Sequence, residues 1–105
     1  MMKDGDRKQV IDRVCRSVLE RNSLDDQIIV LIEEMGDLIS NLCRYKLEGK
    51  LNANEPGLDV SIMEEMAKVK IRIRQLELTF ECEKDVKKAM EDKAKEIGEG
   101  MGLKF

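Results

Sequence analysis

The chain has 105 residues, enough for one domain, and carries 22 Asp plus Glu against 19 Lys plus Arg, a formal net charge of −3. It has no histidine and only three aromatics, Tyr45, Phe80 and Phe105. Those counts exclude Ser-His-Asp and Cys-His catalysis, histidine-ligated metals and a stacking platform for single-stranded nucleic acid. The acidic balance also argues against a phosphate-backbone binder, so no nucleic-acid partner is expected.

The first expected helix runs from about 6 to 22. Val10, Ile11, Val14, Cys15, Val18 and Leu19 fall on one helical stripe. Ser23, three residues before Asp26, fits an N-cap for a second helix over about 24–48. Its main stripe is Ile28, Leu31, Ile32, Met35, Leu38, Ile39 and Leu42, widened by Ile29 and Cys43. A helix this broadly apolar is expected to meet more than one neighbour. Gly49 suits its C-cap, and the Gly, Asn and Pro content of residues 49–60 marks a connecting loop.

Ser61, three residues before Glu64, matches a capping box for a third helix over about 61–82. Ile62, Met66, Val69, Ile73, Leu76 and Phe80 keep helical spacing there. Residues 69–74 alternate apolar and basic, as in a half-buried strand, but the longer stripe and the cap favour the helix. A fourth helix is expected over about 84–97, with Val86, Ala89, Met90, Lys93 and Ile97 on one face. The glycines of 98–105 suggest a mobile tail. The whole chain, 1–105, therefore reads as a single all-α domain of four-helix bundle type.

Cys15, Cys43 and Cys82 are odd in number and widely spaced, which suits reduced thiols. No signal-like apolar run opens the sequence, and Ile28 to Ile32 is far too short to span a membrane. A soluble cytoplasmic protein without a membrane partner is expected.

Acids are the remaining chemical resource, and oxygen-ligated Mg²⁺ is the chemistry they serve best. Glu33, Glu34 and Asp37 cluster on the second helix, and Glu64 and Glu65 on the third. Antiparallel packing of these helices makes an oxygen-rich nest from both clusters. The plainer alternative is a solvated acidic face. Arg44, Lys46, Lys50, Arg72 and Lys93 are basic residues with reach to phosphates.

Ile32-Glu33-Glu34-Met35-Gly36-Asp37-Leu38-Ile39 resembles the first motif of the MazG-like nucleotide pyrophosphohydrolases, Glu-Glu-x-x-Glu followed by apolar residues. Met63-Glu64-Glu65-Met66-Ala67-Lys68-Val69 is similar to their second motif, Glu-Glu-x-x-Asp-Val. The Gln75-Leu76 pair that follows is similar to the family's helix continuation. The resemblance spans about residues 24–97. It implies an all-α protomer that forms a homodimer or homotetramer. It also implies Mg²⁺-dependent cleavage of a nucleoside triphosphate to monophosphate and pyrophosphate. In that reading Glu34, Asp37 and Glu65 are metal ligands, and Glu33 and Glu64 are supporting catalytic acids. Lys46, Arg72 and Lys93 meet the substrate phosphates.

Two positions depart from the family pattern. Asp37 replaces Glu and keeps the charge. Lys68 replaces an aspartate ligand, and a protonated ammonium cannot coordinate Mg²⁺. Lys68 is therefore expected to stand in for the metal among Glu34, Asp37 and Glu65, with catalysis lost or weakened. The alternative is a non-catalytic oligomeric protein of the same fold that binds a nucleotide or a protein.

Overall fold

The computed structural model describes residues 3–48 and 60–105. Four helices account for nearly all of them: α1 (Asp4–Arg21), α2 (Leu24–Leu47), α3 (Val60–Phe80) and α4 (Glu83–Gly100). The alternating stretch 69–74 is helical, because the stripe that contains it is anchored by Ile62 and Val69, both buried. A six-residue strand would have no partner to satisfy its backbone.

The helix ends follow local chemistry. Asn22 and Ser23 alone separate α1 from α2. Ser23 caps α2 as expected: its Oγ accepts from the Asp26 N–H at 3.1 Å. Ser61 does not cap α3. Val60 is already helical, so Ser61 lies inside the first turn, and the cap position falls outside the described residues. The same holds for Gly49 and for the loop expected over 49–60, of which only Val60 is described.

Both ends of α4 differ from expectation. The α3–α4 corner closes as a Schellman motif, with Cys82 N–H bonding Glu77 O at 3.0 Å and Glu81 N–H bonding Leu78 O at 3.4 Å. Glu81 takes the left-handed position at φ 51, where glycine is the usual occupant. At the far end the helix passes Ile97 and continues to Gly100. Gly102, at φ 89, then forms a second Schellman motif: Leu103 N–H bonds Gly98 O at 2.9 Å, and Gly102 N–H bonds Glu99 O at 3.0 Å. The segment expected to trail from the helix instead folds back on it. Phe105 covers Gly98 so closely that a Cβ there would meet its Cζ at 2.6 Å.

α3 is the hub. It packs on α2, on α1 and on α4, and no other pair of helices is in substantial contact among the described residues. Cys15 fills the α1–α3 contact, fully buried, with its thiol donating to Ile71 O at 3.7 Å. Burial, then the nearby Asp12 carboxylate, pushes that thiol up, which makes Cys15 a packing group.

The strongest tie is also on α3. Arg74 grips Asp12 of α1 with two bonds, Nε to Oδ1 at 2.8 Å and Nη2 to Oδ2 at 2.9 Å. Its remaining Nη1 reaches Glu77 Oε1 at 3.4 Å and Glu83 Oε2 of α4 at 3.2 Å. Glu83 also takes Lys8 of α1 at 3.3 Å and Lys87 at 3.4 Å. Bidentate geometry and low exposure on both sides make this pair strong.

The fold is open. Its radius of gyration is 16.8 Å, whereas a compact chain of this length has about 13 Å. Among the described residues the buried apolar side chains are only Cys15, Tyr45, Ile62 and Val69. Much of each stripe read as core in the sequence faces outward. On α2, Leu31 and Leu38 turn towards α3, but Ile32 is 63% and Ile39 59% exposed. On α3, Met66, Ile73 and Phe80 are exposed.

Removing one side of the Asp12–Arg74 pair strands the other. Arg74→Ala is expected to cost about 3 kcal/mol in urea unfolding. The Arg74 hydrogen bonds hold the Asp12 carboxyl below its ordinary 3.8, against the opposing effect of burial. That contribution is complete above the unfolded value and is lost as pH falls through the lower folded one. The stability gap between the native chain and Asp12→Asn should therefore be constant above about pH 5 and narrow below about pH 4. Glu81→Gly is expected to stabilise by about 0.5–1 kcal/mol, measured the same way, since it relieves the left-handed strain.

Candidate functional site

The α2–α3 seam holds two of the acids singled out above, Glu34 and Glu65. Polar contacts cross it at three levels seven residues apart. Gln27 Oε1 accepts from Thr79 Oγ1 at 3.1 Å. Both oxygens of Glu34 accept from Arg72 Nε, at 3.4 and 3.3 Å. Asn41 Nδ2 donates to Glu65 Oε1. Each step of seven forward on α2 meets a step of seven backward on α3. The two helices therefore run antiparallel in heptad register, with a polar rung every two turns.

The expected site residues divide along this seam. Glu34 and Glu65 lie on it, half-buried and hydrogen-bonded to the chain's own donors. Glu33, Asp37 and Glu64 are exposed. Lys68 is exposed too. The cation that reaches Glu34 is Arg72, one turn further along α3. Lys46 is exposed at the end of α2. Lys93 makes its ion pair within α4, with Glu96 at 2.9 Å.

Two buried polar atoms on α3 have no hydrogen-bond partner among the described residues, Glu65 Oε2 and Gln75 Nε2. Gln75 is 1% exposed and accepts from Arg72 Nη1 at 3.4 Å. With Gln27 and Arg72 it walls a cavity of about 270 Å³ between α1, α2 and α3.

The Mg²⁺ shell implied by the resemblance needs several carboxylate oxygens converging on one point. As arranged, the donors do not fit it. Arg72 occupies Glu34, Asn41 occupies one oxygen of Glu65, and Asp37 stands in solvent. Among the described residues no three acids or thiols are grouped to hold a metal ion. No helix among them is long and apolar enough to cross a membrane.

Sequence reasoning missed Gln27, Asn41, Gln75 and Thr79 as seam residues, and Asp12 with Arg74 as the α1 clamp. A signal was present: Gln27, Glu34 and Asn41 are spaced by seven on α2. Such a polar series between apolar neighbours marks one side of a helix pair.

No family model, curated protein or solved structure matches the chain.

An apolar rung tests the seam. Arg72→Met alone leaves Glu34 half-buried and unpaired, at an expected cost of about 1–2 kcal/mol. Adding Glu34→Leu should recover most of that loss. Urea unfolding of the two variants measures both effects.

Proposed function

We propose that this chain is a self-associating helical module that performs no hydrolysis, with the outer face of α2 and α3 as its binding surface. The surplus of exposed surface carries this reading. The isolated chain exposes 8625 Å². A folded monomer of 12.1 kDa exposes about 6,000 Å². The difference, about 2,600 Å² per chain or about 5,200 Å² over two chains, lies at the upper end of what obligate homodimers bury. Much of the surface concerned is aliphatic: Ile28, Ile32, Met35 and Ile39 on α2, with Met63, Met66 and Ile73 on α3. Exposed patches of this kind mark protein contact surfaces. The acids of the seam support the absence of hydrolysis, because Glu34 and Glu65 already serve as structural acceptors.

One observation favours a second reading, a MazG-like nucleotide pyrophosphohydrolase acting on a nucleoside triphosphate with Mg²⁺. Glu65 Oε2 is buried without a partner, at a position where the motif resemblance puts a metal ligand.

Light scattering on the purified chain tests the first reading. The expected mass is a multiple of 12.1 kDa, and Ile32→Glu with Ile39→Glu should reduce it to that of one chain. A native chain that stays monomeric at high concentration overturns the proposal. Pyrophosphate release from a panel of (d)NTPs with Mg²⁺ tests the second. No release above background is expected, from the native chain or from Lys68→Asp.

A further inference from the structure

We propose that a second copy of this chain covers the α2–α3 face with its α2 antiparallel to the first, about a two-fold axis through Met35 and Gly36. The inference rests on the self-association above and specifies its geometry. The outward seam of α2 is Ile28, Ile32, Met35, Ile39 and Leu42, all exposed. Its steps are four, three, four and three, the spacing of a coiled-coil seam. Reversing the direction of such a seam gives steps of three, four, three and four, which match the first to within one residue about Met35. Ile28 then faces the partner's Leu42, and Ile32 faces the partner's Ile39. A closed two-fold contact needs this kind of self-complementary surface.

Two further features select the antiparallel arrangement. Asp25 lies in the first turn of α2 and Lys46 in the last. Antiparallel pairing sets Asp25 beside the partner's Lys46 at both ends, whereas parallel pairing opposes like charges. Gly36 adjoins the central Met35, and a Cβ added there meets nothing within 4 Å. The glycine lets two backbones approach closely at the axis.

α3 agrees with the same axis. Met66, Ile73 and Phe80 are exposed at steps of seven, centred on Ile73. The Glu34–Arg72 rung places Ile73 within two residues of the level of Met35. That is about 3 Å along the helix, so one axis passes close to both centres.

Disulfide trapping tests the geometry in the full chain with Cys43→Ser and Cys82→Ser as background. Met35→Cys should give a covalent dimer on mild oxidation. Ile28→Cys alone should not, and Ile28→Cys with Leu42→Cys should. A dimer in which Met35→Cys stays unlinked, as when α2 lies over the partner's α3, overturns the inference. So does efficient linking by Ile28→Cys alone, which reports a parallel pair. Light scattering on each background separates these outcomes from a monomer, which overturns self-association itself. Asp25→Lys should weaken the dimer about tenfold, and adding Lys46→Asp should restore it. A weakening that the second change leaves unrestored also overturns the antiparallel pairing.

Discussion

Arg74 is the side chain on which the arrangement of helices depends. Among the described residues α1 and α4 meet through little beyond the Lys8–Glu83 ion pair, and each packs on α3. The guanidinium of Arg74 joins all three through Asp12 and Glu83. Arginine suits this place because its planar fork satisfies one carboxylate fully and still has a nitrogen for a second. In a chain with so small an apolar interior, one well-made ionic junction decides where two of the four helices go. Glu83 also titrates below its ordinary range, chiefly through Arg74 and then Lys8, which marks it as part of the same junction.

The same economy shapes the α2–α3 pair. Its inner side carries polar rungs as well as leucines, and its outer side carries isoleucines and methionines. This inverts the usual order for a lone two-helix unit. It is the order expected of a unit that has a second layer to meet. The polar rungs set register, and the outer side keeps its apolar residues exposed.

The helical content was legible in the sequence because stripes at 3.6-residue spacing run through every segment. Ser23 was legible as a cap because its hydroxyl acts within three residues. Ser61 was not, since the helix is already under way at Val60 and the hydroxyl falls inside its first turn. The direction each stripe faces was only half legible. Periodicity shows that Ile32 and Leu38 are both on apolar arcs of α2. It does not say which arc meets α3 when both sides of the helix are apolar. The acids were found by type and spacing, but their partners depend on the register of two helices, and Arg72 rather than Lys68 falls opposite Glu34. The C-terminal glycines read as flexible in the sequence, whereas Gly102 is required for its positive φ and Gly98 lies under the ring of Phe105.

The rungs at 27, 34 and 41 also bear on errors in folding. A heptad seam tolerates sliding, because every apolar contact recurs after about 10.5 Å. A slip that brings Glu34 one heptad along α3 places it against Glu65, two carboxylates that repel on approach. The opposite slip sets it against Thr79, which offers no cation. Only one alignment of α2 on α3 gives Glu34 its arginine, so a single charged rung converts a repeating seam into a unique one.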